Sequence, residues 1–85
     1  MTAQKERLRQ YMAGYFHQER KRLRLTQEEM AALLEIDVRS YADIERGKNL
    51  CSVPVLLLYL FNCDADTAQL LVELNKILSP EETTI

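Results

Sequence analysis

Glycine and proline are almost missing, with two of each in 85 residues. Tight hairpin turns draw on both, one for positive φ and the other for a fixed bend, so little room is left for a sheet built from hairpins. The β-branched residues are few and scattered, which favours an all-helical chain. Cysteine is scarce as well. Cys51 and Cys63 stand twelve apart with no Cys-x-x-Cys spacing, and His17 is the only histidine. A structural zinc site takes about four ligands, so the expectation is no metal, no disulfide, and two reduced thiols acting as small buried hydrophobes. His17 lies in a charged helical stretch and is expected to face water. No Ser-His-Asp or Cys-His arrangement and no glycine-rich phosphate loop is present, so neither an enzyme nor a cofactor is expected.

Long hydrophobic runs are missing too. The longest, "VPVLLLYLFNC" at 53–63, is far short of the roughly 20 residues that span a bilayer, and the start of the chain is polar. No export signal and no membrane partner are expected; the expected place is the cytoplasm, in association with the nucleoid. What is present is a composition ordinary for a globular domain, 47% hydrophobic and 28% charged, of a length suited to one core. A single domain over 1–79 is expected, with "EETTI" at 81–85 inside a frayed tail over 80–85. The net charge of −2 is unevenly spread. Residues 1–48 carry ten of the eleven basic residues against eight acids, and 49–85 carry Lys76 alone against five acids. The densest basic cluster is "RKRLR" at 20–24.

Five helices follow from periodicity and capping. The first runs from about Thr2 to Leu23, with Leu8, Met12, Phe16 and Leu23 on one face and Tyr11 and Tyr15 beside it. Gly14 weakens it by about 1 kcal/mol relative to alanine and marks a kink or a close contact. Thr26 and Glu29 form a capping box for the second helix, whose inward face is Met30, Ala31 and Leu34. The third starts after the N-cap Asp37, turns Tyr41 and Ile44 inward, and ends at Gly47. Ser52 caps the fourth, with Pro54 in its first turn, and Asp66 with Gln69 makes a second capping box that opens the fifth, over about 66–78. Two short helices separated by a three- to four-residue turn, plugged by Ile36, make a helix-turn-helix over about 26–46.

At this point "LTQEEMAALLEIDVRSYADIERGK" resembles the helix-turn-helix of phage-repressor-type regulators, the Cro and lambda-repressor (XRE-like) class. The likeness runs from about residue 12 to residue 65. It implies an all-α, five-helix, lambda-repressor-like DNA-binding domain with a central helix-turn-helix. It also implies that the second motif helix docks in the major groove while the first crosses the backbone. Carried over by position, Gln27 contacts a phosphate or braces the reading helix, and Val38, Arg39, Ser40, Ala42 and Asp43 face the groove. Arg39 is the best base reader, since a guanidinium grips guanine O6 and N7 together. Arg46, Lys48 and Asn49 suit phosphates, which set register. The resemblance further implies an ion pair between Arg20 and Glu45.

Four positions depart from the family pattern. Glu35 stands where a glycine is usual and implies positive φ at a residue with a Cβ. Asp43 repels phosphate but can accept from cytosine N4. Leu58 and Phe61 are apolar where polar residues are usual, and with Leu70, Leu71, Leu74, Ile77 and Leu78 they point to a homodimer interface; the competing reading has the fifth helix closing its own core. The expected function is a sequence-specific transcriptional regulator, a repressor, that reads a palindromic double-stranded operator as a homodimer. An antitoxin with a toxin partner is a second version. The alternative from another class is a protein-interaction module that has kept the fold and lost DNA affinity.

Overall fold

The computed structural model describes residues 2–79, so the tail expected at 80–85 lies outside the described residues. Five helices follow one another: α1 (Thr2–Leu23), α2 (Gln27–Leu33), α3 (Val38–Glu45), α4 (Val53–Asn62) and α5 (Thr67–Leu78). No strand occurs among the described residues, and none of their helices is long and apolar enough to cross a membrane. α1 is the spine, with α3 and α5 packed against it and α2 packed against α3.

Helix starts are set by short polar side chains that take up amide hydrogens the helix leaves open. Thr26 and Glu29 form the full reciprocal capping box, with bonds of 3.1 Å and 2.8 Å. Asp37 accepts from the Ser40 amide at 2.7 Å, and Ser52 accepts from Val55 at 3.3 Å. The start of α5 differs from the sequence reading. Asp66 accepts from the Gln69 amide at 3.0 Å, but the Gln69 side chain turns forward to Glu73 at 3.0 Å instead of back to the cap.

The ends of α1, α2, α3 and α4 share one device. Arg24, Glu35 and Asp64 all have positive φ, of 60°, 62° and 52°, and Gly47 has 76°. At the end of α2 the Ile36 amide reaches the Ala31 carbonyl at 3.0 Å and the Glu35 amide reaches Ala32 at 3.1 Å. This is the paired bond of a Schellman ending, made without glycine. The end of α1 repeats it, with Leu25 to Arg20 at 3.1 Å and Arg24 to Lys21 at 3.0 Å. In both cases the next residue, Leu25 or Ile36, is apolar and packs against the core, which holds the strained residue in place.

The core is an aromatic cluster around Phe16, which is fully buried together with Tyr41 and Tyr59. The Phe16 ring meets Tyr59 edge-on at 5.4 Å and Tyr41 edge-on at 6.2 Å. Such pairs add roughly 0.5–1.5 kcal/mol each beyond the area they bury. Met12, Ala13, Met30, Ala31, Leu34, Ile44, Val55, Cys63 and Leu70 are the other buried apolar residues. Gly14 makes no close contact among the described residues: α1 is one helix through it, and a Cβ there would meet nothing within 4 Å.

α5 lies along α1 with its C-terminus at the start of α1. Arg7 donates to the Ile77 carbonyl at 2.8 Å and Gln4 donates to the Leu78 carbonyl at 3.2 Å. A cation at open carbonyls suits the negative end of a helix dipole. This docking corrects part of the expected dimer interface. Leu70 is 2% exposed and belongs to the protomer's own core, where a partner cannot reach it. Leu58 and Leu74 are half-buried against the same core, and Ile77 is half-buried. Phe61, Leu71 and Leu78 remain exposed, joined by Val53, Leu57 and Val72.

Candidate nucleic-acid interface

α3 is short, and eight residues hold little helical structure by themselves. Its position is fixed from both ends and from behind. At its start the Asp37 cap binds the Ser40 amide, which holds the Asp37 carboxyl below the usual carboxylate range. At its end Gly47 donates to Ile44 at 3.0 Å and Lys48 donates to Asp43 at 2.9 Å, again the paired Schellman bonds. Gly47 is buried, and a Cβ on it would come within 3.2 Å of the Gln10 side chain.

Behind α3, Glu45 gathers donors from three helices. The Arg20 guanidinium of α1 donates to its carboxylate twice, at 2.7 Å and 3.1 Å, and once more to the Leu25 carbonyl at 3.0 Å. Gln27, the first residue of α2, donates from its side-chain amide at 3.0 Å. Tyr41, one turn back on α3, donates its hydroxyl to the same carboxylate. His17 approaches through Nδ1 at 3.3 Å. The side chains of Arg20 and Glu45 are 15% and 6% exposed, so this is a largely desolvated cluster. Burial pushes the Glu45 carboxyl up, but the bonds from Arg20, Tyr41, Gln27 and His17 outweigh it and bring it down to about 2. Burial and the Glu45 carboxylate push the Tyr41 hydroxyl far above its usual value, so it stays a donor. No buried side-chain nitrogen or oxygen among the described residues lacks a partner. A charge cluster this well satisfied locks orientation even where its net contribution to stability is small.

The face of α3 turned away from that cluster is open. Val38, Arg39 and Ser40 are exposed on its first turn, as are Arg46, Lys48 and Asn49 after its end. Arg39 and Lys48 form no ion pair among the described residues. Ala42 and Asp43 are half-buried. Asp43 is further occupied: its carboxylate pairs with Arg46, and its carbonyl caps the helix end. Ser40 and Asn49 stand at a cleft of about 390 Å³ whose walls include Ile36, Ile44 and Val55. Gln27 does not point outward in this state, since its amide is engaged by Glu45.

His17 faces solvent as expected, its side chain 45% exposed, and it also stands beside the Glu45–Arg20 pair. Tyr41, read only as a core residue, is also a hydrogen-bonding partner. Sequence spacing carried both signals. His17 precedes Arg20 by three positions on α1, and Tyr41 precedes Glu45 by four on α3, the separations that place side chains together on one helix face.

The model of a family described as a helix-turn-helix domain matches residues 7–71 of the chain. The chain belongs to this helix-turn-helix family, in keeping with its resemblance to the Cro and lambda-repressor class. Neither curated proteins nor solved structures gave a match.

Proposed function

We propose that the protein is a sequence-specific DNA-binding transcriptional regulator, a repressor, acting as a homodimer on a palindromic operator in the cytoplasm. The observation that carries this reading is the presentation of α3. Val38, Arg39 and Ser40 are left open on a helix clamped from behind by Arg20, Gln27, Tyr41 and His17 through Glu45. Rigid placement of a few side chains is what base reading requires. Arg39 is the base reader, Val38 contacts a thymine methyl, and Ser40 bonds a base edge or phosphate. Ala42 completes the apolar side of the surface, while Asp43 accepts from cytosine N4 after letting go of Arg46. Lys48 and Asn49, with Arg46 once released, bind phosphates. With so few cations on the face, the phosphate contribution is modest and salt dependence shallow.

A second reading is favoured by the same Asp43–Arg46 pair, which neutralises one of the few cations on the face, and by the overall net charge of −2. It makes the domain a protein-interaction module with little DNA affinity, for instance an antitoxin bound to a toxin. Fluorescence polarisation separates the two. The DNA flanking the protein's own gene should bind at least a hundredfold tighter than random duplex of the same length. Equal, weak binding to both would leave only the interaction module.

A further inference from the structure

We infer that the protein carries a binding site for a small uncharged hydrocarbon-like ligand, in the cavity between α1, α4, α5 and the linker that follows α3. Leu8 and Met12 of α1, Leu50 and Cys51 of the linker, Leu56 of α4 and Leu74 of α5 line a cavity of about 140 Å³. All six side chains are apolar or weakly polar, and none is charged. The site is open to solvent on one side, so its apolar walls meet water unless something apolar covers them. A volume of about this size matches a single aromatic ring or a xenon atom. The volume and lining therefore define the ligand: about one aromatic ring in size, no charge, and little need of hydrogen bonds. Five of the six lining residues are half-buried and only Met12 is buried, so the cavity has a mouth and a ligand enters without unfolding the domain.

The position of the cavity gives its occupancy a consequence. Leu50 and Cys51 form a wall common to this cavity and to the cleft on which Ser40 and Asn49 stand. They directly follow Lys48 and Asn49 in the chain, so a ligand pressing on them is felt at the exposed end of α3. The linker has no helical ladder of its own, which makes it the softest of the four walls.

Toluene is a suitable probe, followed by two-dimensional amide NMR of the full chain at constant protein concentration. Saturable shifts are expected at Leu8, Met12, Leu50, Cys51, Leu56 and Leu74, with a smaller one at Asn49, together with a rise in melting temperature as ligand increases. Cys51→Met and, independently, Leu56→Phe add bulk to the cavity, and each should remove the shifts while the spectrum remains that of a folded protein. The inference is overturned if toluene gives no saturable shift up to its solubility. Shifts confined to the outer faces of α4 and α5 would overturn it equally, as would shifts at the lining residues that appear on raising protein concentration alone, since the occupant would then be a second copy.

Discussion

At the scale of single residues, backbone conformation and buried charge make the sharpest demands. Arg24 and Glu35 hold left-handed φ values of 60° and 62° at helix ends, a conformation that costs a residue with a Cβ about 1–2 kcal/mol. Glycine relieves that strain but adds freedom to the unfolded chain, worth about 0.4–1 kcal/mol. Glu35→Gly and Arg24→Gly should therefore each stabilise the domain by roughly 0.5–1 kcal/mol in urea unfolding. Gly47→Ala, which imposes the strain and crowds Gln10, should lower stability by about 1–2 kcal/mol. The position of Glu35 was legible in the sequence as a residue where the family places glycine; Arg24 was not, because nothing marked the first helix as ending in the same way. The buried pair gives a second prediction. Arg20→Ala strands the Glu45 carboxylate and should destabilise by about 3 kcal/mol, and an unchanged melting temperature would refute the structural role of the pair. The Glu45 carboxyl lies at about 2 in the fold against an ordinary 4.5. A carboxyl lowered on folding stabilises fully above its unfolded value, and that contribution disappears as pH falls from about 4.5 toward 2. On the order of 3 kcal/mol should be lost across that window. Glu45→Gln, less stable at neutral pH, should lack this slope, so the two stability curves converge in acid.

At the scale of elements, the five helices, their order and the helix-turn-helix could be read from capping residues and periodicity, because those signals are local. The role of α5 could not. Leu70, Leu74 and Ile77 form one stripe and Leu71 and Leu78 widen it, and a stripe states only that something must cover it. The structure turns Leu70 inward against the protomer's core and leaves Leu71, Val72 and Leu78 outside. The contacts that seat α5 are long-range: Leu70 packs into the core cluster, and Arg7 and Gln4, some seventy residues away, reach the carbonyls at the end of α5. Sequence spacing has no access to such a contact. For α3 the local reading leads to a division of labour that mutation can check. Arg39→Ala should weaken specific binding by about 1–3 kcal/mol and relax preference at one base position. Lys48→Ala should weaken binding to every sequence alike and reduce the salt slope by about one unit. Equal losses on specific and random DNA after Arg39→Ala would rule out base reading by that residue. Asp43→Asn adds a third comparison, since it frees Arg46 for phosphate; random-sequence affinity should rise and become more salt-dependent.

At the scale of the molecule, the proposed dimer has to be built from what the protomer leaves uncovered. One reading helix spans only a few base pairs, whereas two copies on a two-fold axis read half-sites roughly 34 Å apart. Val53, Leu57 and Phe61 recur every four residues on α4 and are 69%, 42% and 78% exposed; Leu71, Val72 and Leu78 on α5 are 59%, 50% and 46% exposed. Residues four apart on a helix share a face, so α4 offers a continuous apolar stripe that the other described residues leave largely uncovered. Each such side chain, once buried, contributes roughly 1.5–3 kcal/mol, so a few symmetric pairs suffice for association. Surface positions tolerate charge within about 0.5 kcal/mol where they pack on nothing. Phe61→Glu and Leu71→Glu should therefore leave helical content and melting of the protomer intact while sedimentation shows a monomer and operator affinity falls. Leu74→Glu should behave differently, because its side chain is half-buried against the core and lines the apolar cavity. A carboxylate there has no partner, so loss of folded protein is expected rather than a clean monomer. A wild-type chain that sediments as a monomer at micromolar concentration would end the dimer reading. Dimers that survive Phe61→Glu and Leu71→Glu together would move the interface elsewhere on the surface.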